Sequence, residues 1–337
     1  MDRLIEALPF LAVPFVACLV IASLHCYMGL HVIKRGVIFV DLALAQAAAL
    51  GAAVALLISP LVCPEPPHHD QDRFASAVVG EADLAHQLDL DGEATATEGG
   101  LDAERVIADT HDHPPHEHGH ERLGYGMSLL FALLGAILLS FGRLRDERIP
   151  HEAVIGIIFV VCASLSVLIL SKAPHGHEKM EAMLVGSILF VSWRQVALMS
   201  ALYLVLGLFH LAARRHFLEI TQSVTGSEKA GKLVRLWDCL FYGSFALMVT
   251  QSVSIAGVFV VFSYLIIPGA CAVLFADRFG PQLVIAWVLA TITTVAGLAL
   301  SALADMPTGS SLVSCFGAAL VLLAVARAII LRRRGTL

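Results

Sequence analysis

Five histidines, His111, His113, His116, His118 and His120, recur within ten residues and alternate with Asp112, Pro114, Pro115, Glu117 and Gly119. A second group, His68-His69-Asp70, stands upstream. Neutral imidazole and carboxylate are ligands for zinc and neighbouring divalent ions. The prolines and the charge density oppose helix formation and core burial, so the segment reads as a flexible collector with several exchangeable sites rather than one tetrahedral cage. The stretch 62–122 holds 15 Asp and Glu against three Arg, and 8 of the 15 His, a density that solubility alone does not require. A solvated linker rich in His is the plainer alternative. His175 and His177, in Ala173-Pro174-His175-Gly176-His177-Glu178, are candidates to join the pool. The seven Cys contain no C-x-x-C pair, so a thiolate zinc site is not signalled.

Outside this stretch the chain is apolar. Of 337 residues 58% are hydrophobic and 15% charged, with a mean hydropathy of +0.80, which excludes a soluble enzyme, a nucleic-acid binder and a secreted disulfide scaffold. Nine runs are long enough to cross a hydrocarbon core: 8–32, 37–59, 124–141, 153–170, 196–213, 236–252, 255–275, 283–303 and 312–331. The expected fold class is all-α, a polytopic membrane protein with about nine transmembrane helices. Its parts are 1–61, the first two helices; 62–122, an acidic His-rich loop expected to be disordered; and 123–337, the remaining helices with a polar connector near 215–235. Placing Lys34 and Arg35 in the cytoplasm puts 15 Lys and Arg on that side and 7 on the other, the asymmetry of the positive-inside rule. The N-terminus and the His-rich loop then lie outside and the C-terminus inside. The opening residues are not basic and no small-x-small cleavage site follows, so 1–30 reads as a retained helix rather than a signal peptide. The apolar segment 183–194 is too short to span and reads as a surface or re-entrant half-helix.

Ionisable groups inside these runs are costly and are functional candidates by default. Asp41 stands one turn into the second helix, and Gln46 follows five residues later, about 140° around the helix, so the two do not share one narrow face. Asp41 reads either as a pathway carboxylate or as a cap or partner of Lys34 and Arg35. His25, mid-way along the first span, reads either as a pathway imidazole or as one bonded to a nearby carbonyl. His210, beside the basic end of its helix, carries a weaker claim. Gly226-Ser227-Glu228-Lys229-Ala230-Gly231-Lys232-Leu233 looks like a P-loop, but Leu233 replaces the Ser or Thr that holds magnesium and no strand leads into it. The chain is therefore expected not to be an enzyme. His151-Glu152 has no partner nucleophile or second ligand in sequence to alter that expectation.

Several segments together resemble the integral-membrane permeases of ABC importers for zinc, manganese and related divalent ions. They are Gly29-Leu30-His31-Val32-Ile33-Lys34-Arg35-Gly36 running into Asp41-Leu42-Ala43-Leu44-Ala45-Gln46-Ala47; His151-Glu152-Ala153-Val154-Ile155-Gly156-Ile157-Ile158-Phe159; Gly186-Ser187-Ile188-Leu189; Ser254-Ile255-Ala256-Gly257 through Leu265-Ile266-Ile267-Pro268-Gly269-Ala270; and Asp305-Met306-Pro307-Thr308-Gly309. The resemblance implies a type II ABC importer permease fold in a bacterial inner membrane. It also implies a cytoplasmic ABC ATPase, an extracytoplasmic metal-binding protein, and a second permease chain, expected as a homodimer, that shares the pathway; lipid surrounds the helices and no nucleic acid is involved. No cofactor is permanently bound, and the divalent ion, zinc first, is substrate. Asp305 becomes a gate candidate. The connector 217–235, with Glu219, Glu228, Lys229 and Lys232, suits the helix that docks on the ATPase. Many members carry Gly-Asp-(small)-x-x-His in the second helix; here the acid is displaced by one residue and Gln46 occupies the histidine position. Amide oxygen is a poorer zinc ligand than imidazole, which shifts selectivity toward the binding protein and the outer loop. A proton-coupled carrier or exporter would place clustered His and Asp within helices, and a membrane metal sensor would need a cytoplasmic output domain.

Overall fold

The computed structural model describes residues 2–62, 117–141, 150–173, 176–223 and 232–333. The chain divides into two compact units, Met1–Val54 with Tyr125–Leu337, and Ala55–Gly124. The helical bundle is the first unit; of the second only helix ends are described.

The elements are α1 (Asp2–Arg35), α2 (Val40–Val62), α3 (Glu117–Phe141), α4 (His151–Leu170), α5 (Gly176–Val185), a 3₁₀ turn (Ile188–Phe190), α6 (Trp193–Ala212), α7 (Arg214–Ser223), α8 (Lys232–Ala256), α9 (Val258–Phe275), α10 (Phe279–Ala304) and α11 (Thr308–Arg333). Among the described residues nine of these are long and apolar enough to span a bilayer, each coinciding with an expected run to within a few residues. The all-α polytopic fold is thus observed.

Packing centres on α1, which contacts α9, α10 and α6, while α9, α10 and α11 pack on one another. The close approach of α1 and α9 follows from small residues. A Cβ on Gly29 would collide with the Leu265 carbonyl, and one on Gly269 would press on Ile33. Pro268 lies inside α9 and has no N–H for the Tyr264 carbonyl four residues back, and Cys26 Sγ of α1 donates to that carbonyl at 3.9 Å. α2 and α3 meet the same way, Gly51 against the backbone of Met127 and Ser128, and Gly135 against Leu44 and Ala47.

Helix ends are set locally. α1 closes in a Schellman motif: Gly36 at φ 66 donates to the Ile33 carbonyl and Val37 to that of Val32, both at 3.2 Å. The carboxylate of Glu152, in the first turn of α4, then accepts from the Ile38 N–H at 3.2 Å, just ahead of α2.

Two expectations change in detail. The apolar runs place the break between the sixth and seventh spans near 253–254, but Ser254 is helical and the chain turns at Gly257 alone, φ 78, because only a residue without a Cβ adopts that angle cheaply. The short apolar segment 183–194 is not one half-helix. α5 ends at Val185, Gly186 turns at φ 75, and the 3₁₀ turn follows before Ser192 caps α6 through a reciprocal capping box with Gln195.

α4 and α11 keep only 17% and 6% of their spans buried, and exposed side chains such as Ile157, Leu168, Val321 and Leu322 give them surfaces suited to lipid or to another membrane chain.

Candidate functional site

Several polar side chains are buried within the apolar bundle. Mid-way along α1, His25 is fully buried; its Nδ1–H donates to the Ile21 carbonyl at 2.9 Å, and Ser252 Oγ lies 3.3 Å from Nε2. Tyr203 of α6 brings its hydroxyl within 3.5 Å of the same ring and donates to the Met248 carbonyl at 3.4 Å. Of the two sequence readings of His25, this geometry matches the imidazole bonded to a nearby carbonyl, and it also ties α1, α6 and α8 together.

Asp41, in the first turn of α2, is 1% exposed, and neither carboxylate oxygen has a partner among the described residues. The expectation that it pairs with Lys34 or Arg35 is not met. Arg35 turns to Asp238 of α8, Nη1 to Oδ1 at 3.0 Å, and Lys34 Nζ lies 5.1 Å above the Phe279 ring. Gln46 is also buried on α2. Asp305 takes the left-handed C-cap position of α10, φ 52, and is exposed, which accounts for it as a turn residue. That turn is held by Ser301, whose hydroxyl donates to the Met306 carbonyl and lies 2.8 Å from Thr308 Oγ1.

At the basic end, which also carries Lys34, Arg35, Arg214 and Arg278, lies a cluster that sequence reasoning missed. Arg35 Nε donates to Thr221 Oγ1 at 3.1 Å, and the same oxygen is 2.9 Å from His31 Nδ1. The Arg35 guanidinium sits 4.0 Å above the Phe241 ring. His210 stacks on Phe217 at 4.5 Å and lies 2.9 Å, through Nε2, from Ser244 Oγ. α7 enters this cluster with one face: Phe217 and Thr221, four residues apart, are buried, while Arg215 and Glu219 are exposed. The available signal was Asp238, an acid inside an apolar run, together with the i, i+4 pair His31 and Arg35.

Of the other expected site residues, Lys232 opens α8, while Glu228, Lys229, His68, His69, His111, His113 and His116 lie outside the described residues. α3 begins at Glu117, so His118 and His120, expected in an irregular loop, fall in its first turn; the helix starts just beyond Pro114 and Pro115. His177 is exposed on α5, and His175 is not among the described residues. Among the described residues no group of three or more His, Cys, Asp or Glu is placed to hold a metal ion.

Nine candidate spans among the described residues, with buried polar groups between them, define a polytopic helical membrane protein. Residues 125–328 match the family described as the ABC 3 transport family, and the chain belongs to that family, as the resemblance of its segments implied. It is 28% identical over 196 residues, 57% of this chain and 68% of the relative, to a probable iron transport system membrane protein of Haemophilus influenzae. It is 25% identical over 198 residues to the manganese transport system membrane protein MntB of Synechocystis, covering 57% of this chain and 64% of that one. The chain thus spans about two thirds of the length of these curated relatives. Among solved structures, PsaBC from Streptococcus pneumoniae in complex with a Fab shares the fold with a TM-score of 0.64 at 16% identity, over 95% of this chain and 93% of that one.

Proposed function

We propose that this chain is the permease subunit of an ATP-driven importer for a first-row divalent metal ion. The observation that carries the reading is the family match over 125–328, joined to relatives named as iron and manganese transport membrane proteins. The basic face is cytoplasmic, where α7 and the connector after it meet an ABC ATPase through Glu219, Glu228, Lys229 and Lys232. The opposite face receives the ion from an extracytoplasmic binding protein, and a second copy of the chain completes the pathway, with Asp41 and Gln46, buried on different faces of α2, as its candidate inner groups and Asp305 at its outer rim. Zinc is the cargo favoured by the imidazoles of the outer stretch 62–122.

Uptake by proteoliposomes holding this chain with its ATPase and binding protein tests the reading. Zinc accumulation that needs ATP, and is competed by manganese and iron in proportion to their affinities, is the expected result. Accumulation driven by a proton gradient with this chain alone would make it a secondary carrier and overturn the proposal. Preference for manganese or iron over zinc would keep the importer and change its cargo.

A further inference from the structure

α7 is an arm of ten residues, and Ala213 alone separates it from α6. Its anchoring to the bundle changes along its length. At the near end Phe217 packs on His210 of α6 at 4.5 Å and on Trp237 and Phe241 of α8 at 5.5 and 5.9 Å, while His216 stacks on Trp237 at 4.6 Å. Apolar ring contacts of this kind are largely non-directional and tolerate sliding.

At the far end the anchor is a buried hydroxyl. Thr221 Oγ1 accepts from Arg35 Nε–H at 3.1 Å and lies 2.9 Å from His31 Nδ1, so one oxygen of α7 is gripped by two side chains one turn apart on α1. Hydrogen bonds weaken steeply away from their preferred length and angle, and whichever of Thr221 and His31 supplies the proton between them, the position of this end is fixed. Arg35 carries the grip onward, because its Nη1 donates to Asp238 Oδ1 at 3.0 Å. The guanidinium is planar and rigid, so Nε and Nη1 cannot move independently, and α7, α1 and α8 are joined through one stiff group. Glu219, two residues before Thr221 and about 200° around the helix, is exposed on the other side of α7. A load on that side bears directly on the hydroxyl.

We propose that Thr221 is a positioning residue whose hydroxyl clasps α7 to Arg35 and His31, so that a displacement of α7 by the ATPase passes to the inner ends of α1 and α8. The inference rests on the import reading, in which α7 meets that subunit. The same three helices, α1, α6 and α8, are tied again mid-way along α1 by His25, Tyr203 and Ser252, so the displacement enters a braced group rather than a single helix. Without the hydroxyl α7 keeps its ring contacts but slides on them, and the ATPase turns over without a matching movement of the spans.

Thr221→Val keeps the shape of the side chain and removes the hydroxyl, whereas Thr221→Ser keeps the hydroxyl. Both are read in proteoliposomes holding the chain with its ATPase and binding protein, as ion accumulated per ATP hydrolysed, with zinc, manganese and iron supplied in turn. Thr221→Val is expected to lower that ratio roughly threefold or more while hydrolysis continues, and Thr221→Ser to preserve it. An unaltered ratio in Thr221→Val, or equal losses in both variants, overturns the proposal. In the purified chain, hydrogen exchange of amides 217–221 is expected to be roughly tenfold faster in Thr221→Val than in Thr221→Ser, and equal exchange also overturns it. If Thr221→Val is not recovered folded, Thr221→Ala takes its place in both measurements. If the unaltered chain accumulates none of the three ions with ATP, the import reading falls, and the exchange measurement still decides whether Thr221 fastens α7.

Discussion

Arg35 and Asp238 lie 203 residues apart in the chain and meet at 3.0 Å, joining the last turn of α1 to the start of α8. Both side chains are nearly sealed from solvent, so the pair cannot be treated as a surface bridge. Removing one partner of a buried ion pair costs about 3–5 kcal/mol. Asp238→Ala should lower the thermal midpoint of the purified chain sharply, while Arg35→Met combined with Asp238→Leu should recover most of the loss. A single variant that melts with the unaltered protein would show that the pair adds nothing to stability.

Gly186 and Gly257 form a second fixed point, on the face opposite the basic end. Both adopt left-handed angles, φ 75 and 78, and a Cβ on either would overlap the backbone of the other's segment. Val185 also closes on Gly309 at the start of α11, so the α5 end, the α8–α9 break and α11 converge there. Gly257→Ala combines about 1–3 kcal/mol of backbone strain with a steric overlap, and should give little folded protein by size-exclusion chromatography. Gly243→Ala is the control, because nothing lies within 4 Å of its added Cβ and its helical backbone favours alanine by about 1 kcal/mol. Equal yields from the two would show that the glycine junction tolerates a side chain.

The range of the forces involved decides which features are legible in the sequence. The nine spans are legible because length and apolarity act within one segment: the run 37–59 and the helix Val40–Val62 differ only at their ends. The Arg35–Asp238 pair is not, since an acid inside an apolar run does not name a partner two hundred positions away, and Arg35 is counted only for topology. His210 is undervalued for the same reason, its importance coming from Ser244, Tyr27 and Phe217 on other helices. Asp41 is legible as a residue of interest, but its isolation is visible only once Arg35 and Lys34 are seen turning elsewhere.

As a proposed pathway carboxylate, Asp41 would trade stability for activity. A carboxylate sealed in α2 without a partner among the described residues destabilises the fold unless it serves a cation. Asp41→Asn should therefore raise the thermal midpoint while lowering metal uptake by about tenfold or more, the trade-off expected of a working site. If Gln46 lines the proposed pathway, Gln46→His supplies a better zinc ligand than the amide and should tighten zinc binding at the expense of its release. A variant Asp41→Asn that both melts later and transports at the unaltered rate would assign the carboxylate no part in the pathway.

On the collector reading, eight His and 15 carboxylates between 62 and 122 would act by number and raise the local concentration of metal near the outer mouth, an effect that matters only when free metal is scarce. Deleting residues 64–120 should remove several zinc equivalents bound by the purified chain and lower uptake at submicromolar zinc, whereas at saturating zinc the ATP-driven rate should stay the same, since the binding protein and the helices then set it. If the truncated chain retains full zinc stoichiometry, the stretch is a linker and not a collector. If it loses uptake at every concentration, the stretch belongs to the pathway itself, because a collector can be outrun by supply and a pathway element cannot.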